Sequence, residues 1–339
     1  MNNILDLIVQ EQSAADSAIF RWLGTIEPEL QPLIRAAVVP ARRIRPALLS
    51  LLVGYEIQPK IQEATSNLGI SVELLHRASL IVDDIIDADT VRRGAPTFHV
   101  RFGLDRALLV PHLIVAEALG MMVSAPSLQQ SAIAAYRRMS IGQIADIRPD
   151  LSQKSFVDYY YSNVLGKTRP PFELVFQTAA MLCDANGMRF RAGGSVKSVA
   201  MLVGELFQMT NDFYDAQPHL NRLRIEKPIT VVNLDLLTAV ALDHTPTLRT
   251  AFFDLIGKQV SRSRFDDFYA HVRTDTTLKI CRNIIQKHQA TLRTQFALVP
   301  RAWRNILDPL CAWLDSEECW GSQETYEAGY ERTATKAVA

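Results

Sequence analysis

Glycine and proline are scarce, 15 and 16 of 339 residues, and they are scattered. That argues against a turn-rich β architecture and against a Pro/Gly linker between domains. Cysteine occurs only at positions 183, 281, 311 and 319, with no CxxC spacing and no histidine partners. A zinc module or a disulfide framework is therefore not expected, and reduced thiols in a cytoplasm are. A charge excess is missing too: Lys+Arg and Asp+Glu are both 36, which leaves no global pull toward nucleic acid or an anionic membrane. The longest apolar run, residues 107–123, is interrupted by Pro111, His112 and Glu117, so no membrane-spanning segment is expected. The first twelve residues show no basic stretch leading into an apolar one, hence no expected secretory leader. Alternating strand patterns and internal repeats are also wanting.

What remains is helical periodicity and a 48% hydrophobic composition that supports a large core. Apolar residues recur at three-to-four spacing through 1–24, from Pro46 through Tyr55, and through 61–89. Further helices are expected over 105–123, 127–147, 154–165, 172–184, 195–215, 229–243, 247–257, 263–289 and 301–315. The expected fold is all-α: one large helical-bundle domain over 1–320 around a central cavity, followed by a polar tail at 321–339.

Two acidic motifs carry the chemistry, Asp83-Asp84-Ile85-Ile86-Asp87 and Asn211-Asp212-Phe213-Tyr214-Asp215. On a helix, positions three and four apart share a face, with Cβ atoms ~5–6 Å from each other. Each motif therefore aims at least two oxygen-bearing side chains one way. Such clusters are costly as bare like charges but suit hard divalent cations shared with phosphates. A solvated helix face is the bland alternative. It fits poorly here, because Leu80-Ile81-Val82 precede and Ile85-Ile86 interrupt the aspartates. Arg92 and Arg93 follow within two turns, and the guanidinium fork matches phosphate geometry.

The string Glu73-Leu74-Leu75-His76, Ser79-Leu80-Ile81-Val82-Asp83-Asp84-Ile85-Ile86-Asp87 and Arg92-Arg93-Gly94-Ala95-Pro96-Thr97 resembles the first signature region of the trans-isoprenyl diphosphate synthases. The other signatures of that family have counterparts in order. They are Arg42-Arg43-Ile44-Arg45-Pro46, Gly142-Gln143 with Asp146, Gly166-Lys167-Thr168, Phe207-Gln208 with the second acidic motif, and Glu226-Lys227-Pro228. The resemblance implies a prenyltransferase that joins isopentenyl diphosphate to an allylic diphosphate by ionisation, condensation and elimination. It implies Mg2+, three ions with substrate bound, held by Asp83, Asp87 and Asp146 on one wall and Asn211, Asp212 and Asp215 on the other. Arg92, Lys167 and Lys227 would contact the allylic diphosphate, while Arg42, Arg45, His76 and Arg93 would anchor isopentenyl diphosphate. Thr168 and Gln208 would sit near the carbocation, and Asp83, Asp84, Asp87, Lys167 and Asp212 would serve catalysis. A homodimer is implied as well.

Three departures stand out: Ala41-Arg42 where the family has Gly-Lys, Asn211 where it has Asp, and Pro111-His112 where it often has Gly-Asp. Asn211 removes one negative charge, so the Asp83–Asp87 wall is expected to hold metal more strongly. In the family the product grows toward residues one turn before the first motif. Those positions here are Ala78 and Ser79, both small, with Leu75 a turn further back and Leu119, Met121 and Met122 on the expected opposite wall. That predicts geranylgeranyl diphosphate or a longer product. The alternatives are a fifteen-carbon farnesyl product, a non-catalytic synthase subunit, and a class I terpene cyclase. The cyclase is opposed by Asp215 and His219, which stand where its second motif needs Ser and Glu.

Overall fold

The structure is a computed structural model describing residues 4–39, 41–54, 58–92, 95–147, 149–150, 152, 154–187, 193–216 and 229–321. The N-terminal half runs α1 (Ile4–Leu23), α2 (Gln31–Val38), α3 (Ile44–Val53), α4 (Pro59–Ile86), α5 (Phe98–Phe102), α6 (Leu104–Gly120) and α7 (Pro126–Ile147). The C-terminal half continues with α8 (Phe156–Ser162), α9 (Arg169–Ala185), α10 (Gly193–Asp215), α11 (Leu236–His244), α12 (Leu248–Leu255), α13 (Arg262–Val272), α14 (Asp275–Gln295), α15 (Arg301–Leu314) and α16 (Glu317–Gly321). The all-α expectation is met. Of the expected tail, only Gly321 is among the described residues.

Helices α3, α4, α9 and α10 form the middle of the bundle, with α6 packed on α4 and α14 on α10. Leu49, Leu74, Phe172, Phe176 and Trp303 are among the largest fully buried side chains. The Trp303 indole donates to the Leu52 carbonyl at 2.9 Å and meets the Phe176 ring edge-on, which pins α15 to the centre. Pro111 stands inside α6 without ending it.

Two expectations of helix are corrected. Residues 229–231 form a strand, β3 (Ile229–Val231), antiparallel to β4 (Gln259–Ser261), and α11 begins only at Leu236, where Asp235 accepts from the Thr238 amide at 2.7 Å. The single helix expected over 263–289 is broken at Thr274, whose side chain accepts from the Thr277 amide and caps α14. A second small antiparallel pair, β1 (Val91–Arg92) with β2 (Ala95–Pro96), turns the chain back just after α4. That return brings Arg92 home to the acidic motif.

Candidate active site

A cavity of about 540 Å³ opens between α3, α4, α7, the 3₁₀ turn Val164–Lys167 and α10. Asp83 lies on its wall at the C-terminal end of α4, facing Asn211 and Asp215 from α10. The basic pocket shares that wall: His76, two turns before Asp83 on the same face of α4, lines the cavity together with Arg42 and Arg45. The two diphosphate-binding halves read from the motifs therefore share one chamber.

The first acidic motif divides its labour. Burial pushes the Asp83 carboxyl up to about 6, against the attraction of Lys167. Asp84, one residue on, falls on the core stripe with Arg77 and Ile81, is buried, and accepts from Arg92 Nε at 2.5 Å. Its oxygens serve to fix Arg92, which reaches the cavity wall. Asp87 is raised by burial too, offset by Lys167 and by Asn233, whose amide donates to Asp87 at 3.1 Å. Burial alone would lower the Lys167 ammonium, but Asp146, Asp83 and Asp87 outweigh it and hold the charge above its usual value. Lys167 donates to Asp146 Oδ2, while the other oxygen of Asp146 is buried with no partner among the described residues.

The second motif is split the same way. Asn211 donates to Asp215 at 3.3 Å, and both face the cavity. Asp212 belongs instead to the buried stripe Glu205–Met209–Asp212–Ala216. It accepts from Tyr160 Oη and Gln208 Nε2, both at 2.7 Å, and from the Leu236 amide at 3.1 Å. Burial and the nearby Asp235 carboxylate push it up to about 7. Asp212 thus anchors α10 to α8 and α11 and stands apart from the metal wall assigned to it. Gln208 also accepts from Thr168 Oγ1 at 2.7 Å, so the pair expected near the carbocation is joined and lines the cavity.

In the basic pocket Arg45 is buried between aromatic faces, 5.1 Å from the Phe172 ring centre and 5.7 Å from that of Phe207. Its Nε has no hydrogen-bond partner among the described residues, and desolvation pushes the guanidinium down to about 10. Arg42 lies 5.3 Å over the Trp320 ring, which brings α16 against the mouth. Arg43, a member of the Arg42–Pro46 motif to which no role was assigned, holds this corner. Its backbone is left-handed at φ 51°, a conformation that costs of order 1–3 kcal/mol unless its surroundings impose it. Here the buried side chain bonds to Asp16 at 2.8 Å, to the Val38 and Val39 carbonyls at 2.7 and 3.0 Å, and to Glu73 at 3.2 Å. Such fastening throws Arg42 and Arg45 to the cavity side. The sequence signal was there in the buried Glu of Glu73-Leu-Leu-His76, which needs a cation. Arg93 and Lys227 lie outside the described residues.

Of the residues expected to limit product length, only Ser79 reaches the cavity. Ala78 and Leu75 are at most 2% exposed and face the core, as does Met122; Leu119 and Met121 pack on that core too. Ala78→Phe is therefore expected to overpack α4 and cost ~1–3 kcal/mol in a denaturation titration, without shortening any product. Product shortening by that variant at wild-type stability would contradict this placement.

Facing acidic walls and a basic pocket in one chamber of an all-helical bundle are the layout of an isoprenoid synthase. Residues 27–270 match the polyprenyl synthetase family, and the chain belongs to it. Its fold is shared with a decaprenyl diphosphate synthase from Rhodobacter capsulatus (TM-score 0.73, 20% identity, 91% of this chain and 98% of that one). It is shared equally with a polyprenyl synthase from Caulobacter crescentus complexed with calcium and isoprenyl diphosphate (TM-score 0.74, 18% identity, 92% and 97%). By sequence the chain is 26% identical over 217 residues to an all-trans-nonaprenyl-diphosphate synthase of Rhodobacter capsulatus, covering 63% of this chain and 65% of that protein. It is 28% identical over 186 residues to a geranylgeranyl diphosphate synthase of Sulfolobus acidocaldarius, covering 50% and 53%. These matches span about half to two thirds of the relatives' lengths.

Proposed function

We propose that the chain is a Mg2+-dependent prenyltransferase that condenses isopentenyl diphosphate with an allylic diphosphate and makes geranylgeranyl diphosphate or a longer chain. The observation that carries this reading is the meeting in one cavity of acidic-motif side chains, Asp83, Asn211 and Asp215, with a basic set at Arg42, Arg45 and His76 that has no carboxylate motif of its own. One substrate must lose its diphosphate and the other must keep it, and the two sets differ in that respect.

The donors fit magnesium. Among the described residues no three His, Cys, Asp or Glu side chains are grouped to hold an ion alone. Mg2+ is ordinarily held by one or two carboxylates plus substrate phosphates, so a dedicated cage is not required. Asp83, Asp87 and Asp146, with the unpartnered oxygen of Asp146, would hold it on one side and Asp215 on the other, with Asn211 offering an amide oxygen. Bound there, it supplies positive charge for the diphosphate leaving group. Lys167 and Arg92 add fixed cations to the same group, which is stabilisation aimed at developing charge. The allylic C–O bond breaks and its electron pair leaves with pyrophosphate. The alkene of isopentenyl diphosphate forms the new C–C bond, and pyrophosphate takes the proton released. Arg45, desolvated and wedged between rings, keeps the second diphosphate in place.

No helix among the described residues is long and apolar enough to cross a membrane. A cytoplasmic homodimer is part of the proposal; Leu104 and Leu108, 54% and 55% exposed one turn apart on α6, offer a surface for the second copy.

The test is incubation with isopentenyl diphosphate and allylic primers of five to twenty carbons. Magnesium-dependent pyrophosphate release and chromatography of the products are measured, and no release with any primer would sink the proposal. A pH dependence follows from Asp83. Its carboxyl, raised to about 6, carries a proton below that value, and a metal ligand must shed it. Affinity for magnesium pyrophosphate, measured by calorimetry, is expected to fall about tenfold per pH unit below 6 for this one proton. A flat profile between pH 5 and 7 would refute it.

A further inference from the structure

Rings and guanidiniums alternate along the basic pocket. Phe172 and Phe207 meet at 5.2 Å between ring centres, and Arg45 lies over both. Phe207 in turn meets Trp320 edge-on at 5.3 Å, and the Arg42 guanidinium lies 5.3 Å over the Trp320 ring. Trp320 comes from α16, far from the others in sequence, yet it borders the cavity while being only 7% exposed. Its indole Nε1 donates to the Leu314 carbonyl at 2.8 Å. The turn leading into α16 is clasped as well. The Asp315 carboxylate accepts from Arg282 at 2.6 Å and from Gln289 at 3.2 Å, and the Asp315 carbonyl accepts from Tyr214 Oη at 3.0 Å. The ring is thus a fixed surface.

We propose that Trp320 is a positioning residue for Arg42: its face seats the guanidinium, whose N–H edge is then presented to the diphosphate of isopentenyl diphosphate. The inference rests on the prenyltransferase reading and adds to it a residue that acts through Arg42. A guanidinium stacks through its flat face, which leaves the donors in its plane for phosphate oxygens. An arginine side chain is rich in rotamers, and ordering it at the moment of binding weakens the complex. Seating it beforehand removes that cost. The main chain at Arg42 is fixed separately, by Gln12 donating to its carbonyl and by the fastening of Arg43. Loss of the indole therefore frees the side chain of Arg42 and not its backbone. The pairing also accounts for arginine at position 42, where the family motif has lysine, because a compact ammonium has no flat face to lay on the ring.

The test uses the full chain with farnesyl diphosphate, magnesium and varied isopentenyl diphosphate, together with calorimetric binding of isopentenyl diphosphate, which needs no turnover. Trp320→Ala is expected to raise KM and Kd for isopentenyl diphosphate about tenfold, with kcat and the KM for farnesyl diphosphate changed less than about twofold. Trp320→Phe keeps an aromatic face and is expected to stay within about threefold of wild type. Trp320→Leu fills the space without that face and is expected to behave as the alanine variant does, so it carries the test should Trp320→Ala melt below the assay temperature. In an Arg42→Lys background, Trp320→Ala is expected to change the calorimetric Kd by less than about threefold, since the two residues act as a pair. A folded Trp320→Ala with unchanged affinity, or Trp320→Leu with wild-type affinity, overturns the inference and leaves the prenyltransferase reading standing. So does an equal loss of affinity in the Arg42→Lys background. A wild type that releases no pyrophosphate with any primer overturns both.

Discussion

Asp83→Asn is expected to slow magnesium-dependent pyrophosphate release on the order of 10³-fold, about 4 kcal/mol of transition-state stabilisation. Asp83 is the carboxylate of the first motif that lies on the cavity wall, and it also helps hold Lys167 charged. The same change is expected to stabilise the protein without metal. Burial raises the Asp83 carboxyl to about 6, above its value of 3.8 in an unfolded chain. Stability associated with its proton is complete below about 4 and is lost as pH rises through 6, so at pH 8 the ionised group weighs against folding. Removing the charge should gain on the order of 1 kcal/mol at pH 8, read as a higher melting temperature. A variant that loses activity and stability together would show that Asp83 serves the scaffold instead.

The second large effect is at Gly142. A Cβ there would meet the Lys167 backbone nitrogen at 2.5 Å and the Gly166 carbonyl carbon at 2.8 Å, and neither can swing aside as a side-chain tip could. Gly142→Ala is thus expected to force α7 away from the 3₁₀ turn, costing ~3 kcal/mol or more in a denaturant titration. Because that turn carries Lys167 and Thr168, activity should fall by about 10²-fold even in the folded fraction, as a 1 Å misplacement does. A wild-type midpoint and turnover in this variant would show that the approach is not required.

How much of this was legible beforehand follows from helix geometry. Spacing placed the motifs on helices and grouped Asp83, Asn211, Asp215, Lys167, Arg42, Arg45 and His76 around one cavity. It did not give each helix its rotation about its own axis. Adjacent aspartates point about 100° apart at 3.6 residues per turn. Whether the first or the second faces the cavity is decided by which flank packs on neighbours. The buried stripe Arg77–Ile81–Asp84 on α4 and the stripe Glu205–Met209–Asp212–Ala216 on α10 settle it, and Asp84 and Asp212 turn inward. The same rotation takes Ala78 and Leu75 out of the chamber. Asn233 and Tyr160 were invisible because their partners lie 146 and 52 residues away. β3 was mistaken for helix because Ile229-Thr230-Val231-Val232 is apolar and too short for its period to declare itself.

The hydrogen bond between Thr168 and Gln208 has a direction, and the direction matters. Tyr160 and the Leu236 amide both donate to Asp212, so its ionised form, present above about pH 7, is an acceptor throughout and Gln208 must offer it the NH2 end. The amide is thereby locked with its oxygen toward Thr168, and the threonine hydrogen is committed to it. Thr168 can then turn only lone pairs into the chamber. An oxygen so constrained welcomes a passing cation and has nothing to give a diphosphate, which makes a buried tyrosine on α8 the setter of a polarity felt two side chains away.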